Sequence, residues 1–306
     1  MTRRARVLVA VASFTAALSL SADAQQSRTA RGDPDWPMYR HDFAGTGYSP
    51  LRQINLQNVA TLAVSWTFRI QSNAPAAGGR GGAAVANVNS QVTPIVIDGV
   101  MYFPGRDRIE ALDADTGKEI WQTPVTGGAP SRRGVAYWAG QGNMPPRIFF
   151  MAGRRLIALD AKTGAAVSAF GQNGEIDIGT PYNSVPGVFR NVIVVGANTP
   201  PGAIGGIGNP RAFDARTGAR LWEFSSVAQP GTVGNDTWDG DSWKGRLGAN
   251  VWPFYFTVDE QRGLLYLPHA SPIPAGFGGD RKGGNLFGNL VVAVDGQTGK
   301  YKWHFQ

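Results

Sequence analysis

The sequence contains no cysteine. That excludes disulfide staples, a thiol nucleophile, a cysteine-ligated zinc and a lipid-anchoring cysteine in one stroke. Charge is sparse too: Asp, Glu, Lys and Arg make up 17% of the residues, and the formal net charge of +7 is not gathered into a basic cluster interleaved with aromatics. Nucleic acid is therefore not an expected partner. Sustained helical patterning is missing, since no window keeps apolar residues at i, i+3, i+4 and i+7 without a Gly or Pro interrupting. Nor is there a hydrophobic run long enough for a membrane span; the stretch Val7 to Leu20 is short for one and carries Ser and Thr.

What is present points to turns and strands. The chain has 41 Gly and 20 Pro among 306 residues, a profile that fits an all-β protein better than a helical one. Arg3, Arg4 and Arg6, the apolar stretch Val7 to Leu20 and the small-x-small site Ala22-Asp23-Ala24 read as a cleavable signal peptide over residues 1–24. Export to the periplasm is the expectation, leaving residues 25–306 as the mature part with no transmembrane span. Residues 55–62 form a short amphipathic piece expected to lead into a strand ending at Trp66. The Gly/Ala/Asn-rich run 71–90 reads as a surface loop.

From Gln91 onward a unit recurs. Ala111-Leu112-Asp113-Ala114-Asp115-Thr116-Gly117 is followed by Trp121; Ala158 to Gly164 repeats the pattern, with Ser168 where the Trp would fall. Ala212 to Gly218 leads to Trp222, and Ala293 to Gly299 leads to Trp303. An apolar strand ending at Asp lets the carboxylate accept backbone N–H groups of the turn, and Gly takes the position that needs φ > 0. The returning strand then carries Trp towards the neighbouring unit. Upstream, Thr93 to Tyr102 contains an Asp98-Gly99 hairpin signal between two apolar runs. Four strands in a unit of about fifty residues is the pattern of a β-propeller blade. Four to five blades are visible.

One stretch stands apart. Asp236 to Tyr266 brings Trp238, Trp243 and Trp252 together in a Gly-rich context ahead of an apolar strand read from Trp252 to Thr257. Such a group either floors a flat ligand or fills the junction of two sheets. Asp236, Asp239 and Asp241 sit in turn-like contexts and read as structural. The run Gly202 to Gly208 superficially matches a dinucleotide loop, but no helix and no acidic residue follow in a βαβ setting.

Together, the repeat, the opening DWPMYRHDFAGTGYSPLRQIN, the RRGVAYW run at Arg132 to Trp138 and NDTWDGDSWK at Asn235 to Lys244 resemble PQQ-dependent quinoprotein dehydrogenases, from about Asp35 to Gln306. The likeness is drawn to the glucose-type (aldose) branch. The methanol and ethanol enzymes typically carry an adjacent cysteine pair where this chain has Ala129-Pro130-Ser131. The resemblance implies an eight-bladed all-β propeller, here incomplete and expected to continue past residue 306. It implies PQQ near the axis beside a calcium or magnesium ion. On that footing Trp252 is the stacking floor, Arg133 pairs with a PQQ carboxylate, Ser184 presents a hydroxyl, and Gln91 stands where many members have a contacting Glu. The family's cation-ligating Glu falls in Asn198-Thr199-Pro200-Pro201, where Asn198 is the conceivable substitute, and its Asn falls at Ser271. His269, two residues earlier, reads as a loop residue. The catalytic aspartate of the family would lie beyond residue 306. The implied activity is oxidation of an aldose or other alcohol by hydride transfer to PQQ, with electrons passed to a respiratory quinone or cytochrome c. The competing reading is a non-catalytic propeller scaffold of the outer-membrane assembly type, or an inactive fragment.

Overall fold

The computed structural model describes residues 35–70, 91–197, 208–246, 248–251, 256–273 and 277–306. The signal-peptide stretch and the Gly-rich run 71–90 lie outside them, as do Trp252 and Asn198. Within the described residues helical structure is limited to single 3-10 turns such as Val59–Thr61 and Asn235–Thr237. No helix among them is long and apolar enough to cross a membrane.

Strands β1 (Ile95–Ile97), β2 (Val100–Pro104), β3 (Arg108–Asp113) and β4 (Glu119–Pro124) form one antiparallel meander. A second comprises β5 (Ala136–Trp138), β6 (Arg147–Ala152), β7 (Arg155–Asp160) and β8 (Glu175–Asp177), and a third β9 (Gly187–Phe189), β10 (Val192–Val195), β11 (Arg211–Asp214) and β12 (Arg220–Glu223). The fourth runs β13 (Ala249–Val251), β15 (Leu264–Pro272), β16 (Leu290–Asp295) and β17 (Tyr301–Phe305), with β14 (Thr257–Asp259) also pairing with β15. These are four propeller blades. Of the strand expected over Trp252 to Thr257, residues 252–255 lie outside the described residues; β13 reaches Val251 and β14 starts at Thr257.

Blades stack face to face, and the core lies between them in three sheets of apolar side chains. Ile95, Ile109 and Trp121 of the first blade meet Ile148, Phe150 and Leu159 of the second. Phe149, Met151 and Leu156 meet Ile193, Val195 and Phe213 of the third. Val192, Val194 and Trp222 meet Leu265, Leu267 and Val292 of the fourth. A strand covered on both faces has no reason to alternate with polar residues, which is why RIFFMA in β6 and VIVV in β10 are buried throughout.

The repeated turn follows the chemistry read from its residues. Asp113 Oδ1 accepts the Thr116 backbone N–H at 2.8 Å and its hydroxyl at 2.6 Å, and Asp160 and Asp295 hold Thr163 and Thr298 in the same way. The turn glycines Gly117, Gly164, Gly218 and Gly299 have φ of 68°, 71°, 77° and 68°. Their lack of a side chain does a second job, because an indole from the preceding unit lies flat on the turn. A Cβ on Gly164 would stand 2.6 Å from the Trp121 ring, and one on Gly299 would stand 2.6 Å from that of Trp222. Each indole N–H also donates into the same turn, Trp121 to the Ala161 carbonyl at 3.1 Å and Trp222 to the Gly296 carbonyl at 3.3 Å. Where Ser168 replaces Trp, Phe170 and Ile176 close over Gly218 instead.

Trp66 was expected at the end of a strand, and no strand forms there. Its indole covers Gly117 and donates to the Ala114 carbonyl at 3.1 Å, so it acts as the lock for the first blade without a ladder of its own. Earlier in the segment Trp36 exchanges two backbone hydrogen bonds with Val96, at 2.8 and 3.0 Å, along the inner edge of the first blade. Trp238 is buried and donates to the Leu286 carbonyl at 2.8 Å, while Trp243 packs on the same cluster; both are structural.

Candidate functional site

At one end of the stacked blades, the segments entering the first, second and third blades converge with the β6–β7 hairpin tip. They enclose a cavity of about 450 Å³, within the range typical of small-ligand sites. Gln91 comes from the first segment, Ala129 to Arg133 from the second, Pro181 to Asn183 from the third, and Gly153 from the hairpin tip. Backbone bonds fix these walls to one another: Ser131 N–H donates to the Met151 carbonyl at 2.7 Å, Thr93 N–H to the Arg133 carbonyl at 3.0 Å, and Tyr182 N–H to the Gly153 carbonyl at 3.1 Å. Gly134 is required just behind Arg133, since a Cβ there would stand 3.0 Å from the Thr93 carbonyl oxygen and 3.1 Å from Val185.

The lining is basic and rich in donors. Arg132 is exposed and Arg133 half-buried, and no carboxylate lines the cavity among the described residues. Other arginines near this end are neutralised by carboxylates: Arg154 pairs with Asp177 at 2.6 Å and Arg155 with Glu175 at 2.8 Å. Tyr182 is buried, and its hydroxyl lacks a hydrogen bond of good geometry. Burial raises the phenol's pKa well above its usual value, against smaller opposing effects of Ser184, the Gly196 backbone and Arg133. It therefore stays protonated, a donor near the Arg133 guanidinium. An anionic, oxygen-rich ligand matches this wall.

Gln91 and Arg133 are brought into one cavity. Ser184 is close by but has no exposure at all; it lies behind Tyr182 and not on the lining. Ser271 is on β15, and its hydroxyl donates to the Asn289 side-chain oxygen at 2.9 Å. His269 is not a loop residue. It sits in β15, buried, with Nδ1 2.8 Å from the Phe287 carbonyl, and burial pushes its pKa down to about 4, so the ring is neutral and Nδ1 carries the proton. A hard dication takes six or more oxygens, carboxylates among them. Ser271 and Asn289 are neutral and engaged with each other, and no cluster of three His, Cys, Asp or Glu that could hold a metal occurs among the described residues. The donors described at Ser271 do not by themselves fit such an ion.

Two lining residues escaped the sequence reading. Tyr182 flanks Ser184 in Tyr182-Asn183-Ser184, but its burial depends on Gly196 passing beneath the ring, where a Cβ would come within 2.9 Å of it. Arg132 entered only as the first residue of the RRGVAYW run, and its place beside Arg133 was the signal that could have found it.

The sequence profile of the family described as "PQQ: Glucose/ethanol/alcohol dehydrogenase, beta-propeller domain" matches residues 36–306. A quinohemoprotein alcohol dehydrogenase of Comamonas testosteroni is 34% identical over 302 residues, spanning 89% of this chain and 39% of that protein. The dehydrogenase subunit of a quinone-dependent alcohol dehydrogenase of Gluconobacter oxydans (strain 621H) is 33% identical, over 89% of this chain and 37% of its own length. The crystal structure of quinohemoprotein alcohol dehydrogenase from Comamonas testosteroni superposes with a TM-score of 0.70 and 30% identity, covering 92% of this chain and 42% of that one. This chain spans about two fifths of the length of the proteins it matches.

Proposed function

Because the chain belongs to the family of PQQ-dependent glucose/ethanol/alcohol dehydrogenase β-propellers, we propose that the cavity at Gln91, Arg133 and Tyr182 binds PQQ and serves the oxidation of an alcohol. The observation that carries this is the gathering of two arginines, an amide and an unbonded buried phenol around one cavity with no carboxylate among its described lining residues. PQQ is a flat tricarboxylate o-quinone, and when bound it supplies the hydride acceptor. Arg133 would take a carboxylate through its planar fork. Gln91 can both donate and accept, and the Tyr182 hydroxyl can turn from its unmet position towards a ligand oxygen. Trp252, immediately after the buried Val251, is the proposed stacking surface. Ser184 would act through Tyr182. Ser271 and Asn198 remain the proposed cation-facing positions, and no base for the substrate hydroxyl proton is assigned among the described residues.

The cysteine-free stretch Ala129-Pro130-Ser131 favoured an aldose substrate. Two relatives that are more than 30% identical are named alcohol dehydrogenases, and they weigh towards an alcohol. The word "quinone" in the name of one supports a respiratory quinone as electron acceptor, with cytochrome c as the other candidate, and the signal-peptide pattern supports a periplasmic location.

The test is titration of the chain with PQQ, followed by quenching of tryptophan fluorescence. Saturable binding is expected, weakened at least about tenfold in Arg133→Gln by loss of a charge-assisted pair, and weakened further in Trp252→Ala. A folded chain that shows no saturable quenching would refute the proposal.

A further inference from the structure

Arg132 has a side chain that the cavity's proposed chemistry has not yet used. It is exposed on the lining, and among the described residues it has no ion pair and no side-chain hydrogen bond. That sets it apart from Arg154 and Arg155 nearby, whose charges are taken up by Asp177 and Glu175. Its backbone is held on both sides, by Ser131 N–H on the Met151 carbonyl and by the Arg133 carbonyl on Thr93 N–H. The side chain is thus launched from a fixed point. With no carboxylate among the described lining residues, the Arg132 charge meets no acidic group in the wall. A ligand with a single carboxylate would satisfy Arg133 alone; one with several can satisfy both.

We propose that Arg132 is a second anion-binding group of this cavity and takes a carboxylate different from the one Arg133 takes. This rests on the reading of the cavity as a PQQ site. The charge of the ligand is then met on this side by a pair of arginines, and binding strength depends on ionic strength through both.

The experiment compares PQQ with its trimethyl ester on the wild-type chain, Arg132→Gln, Arg132→Lys and Arg133→Gln, read by tryptophan quenching at low and high salt. Arg132 supports no internal contact, so thermal unfolding of its variants is expected to match the wild type. Expected is a loss of about tenfold in PQQ affinity for Arg132→Gln, partial recovery in Arg132→Lys because the point charge survives without the fork, a flatter salt dependence, and no change with the ester. If Arg132→Gln binds PQQ like the wild type while Arg133→Gln does not, the second site is overturned and the PQQ site stands. If Arg132→Gln weakens acid and ester equally, the contact is not with a carboxylate and the proposal falls. If the wild-type chain binds neither, the PQQ reading fails and takes this one with it.

Discussion

Replacing Gly164 by Ala separates two roles that the repeat glycine combines. At φ of 71° any L-residue is strained, by about 1–2 kcal/mol. The new Cβ would also stand 2.6 Å from both the Trp121 ring and the Thr123 hydroxyl oxygen, inside the distance at which something must move. The neighbour above is a rigid indole, buried to 8% exposure and tied by its N–H to the Ala161 carbonyl. Thr123 is tied likewise, donating to the Gly164 carbonyl at 2.7 Å. Lifting the indole sacrifices about 1 kcal/mol for its hydrogen bond and about 1–2 kcal/mol of packing. The expected total is about 3–5 kcal/mol. Gly99 supplies the control: its φ is 76°, but no atom lies within 4 Å of a Cβ built there, so Gly99→Ala should cost only about 1–2 kcal/mol. Urea unfolding of both variants, followed by tryptophan emission, gives the two midpoints. Equal midpoints would refute the claim that the turn glycine is needed for the indole above it.

Glu110 is buried, and burial pushes its pKa up to about 7 despite Arg108, from an ordinary 4.5. The folded state therefore holds the proton more tightly, so this contribution is fully present below about pH 4.5 and is lost as pH rises through 7, by about 3 kcal/mol. Glu110→Gln should flatten that fall in urea midpoints between pH 4.5 and 8.5, and an unchanged slope would contradict it. His269 works the other way: with a pKa lowered to about 4, its contribution is present above 6.5 and lost as pH falls through 4, so the difference between variant and wild type is the quantity to read. Arg147, buried in β6, donates from one nitrogen to the Ala215 and Arg216 carbonyls at 2.8 and 2.7 Å, bridging the second and third blades. Arg147→Met should cost about 2–3 kcal/mol by leaving those carbonyls unmet; a loss below about 0.5 kcal/mol in the same assay would show the bridge to be idle.

The turn units were legible because their chemistry is local. Asp113, Thr116 and Gly117 lie within five residues and carry their own geometry, and Asp98-Gly99 takes φ of 51° and 76° as a mirror-image hairpin turn demands. Trp66 was misread for an instructive reason: an apolar residue after an extended run looks the same whether the backbone joins a ladder or only the side chain docks. The cavity was harder. Gln91 and Arg133 came from family likeness, and nothing local announces that residues 91, 133 and 182 meet, because their meeting depends on how blades stack. The buried state of Tyr182 rests on Gly196, which belongs to a different strand edge altogether. His269 shows the reverse error, a residue in a short polar-looking run that the β15–β16 ladder carries into the core.

The indole-on-glycine contact always points the same way along the chain: Trp66 reaches forward to Gly117, Trp121 to Gly164, Trp222 to Gly299. The Trp-bearing outer strands β4 and β12 are thus each held down by a turn that belongs to the next blade along the chain. Injury to one blade should be felt chiefly by the blade before it, like a lifted shingle that loosens only the one it overlaps. Hydrogen exchange would record this as a polarity: a defect in the turn of the fourth blade should speed exchange in β12 while leaving β4 unmoved.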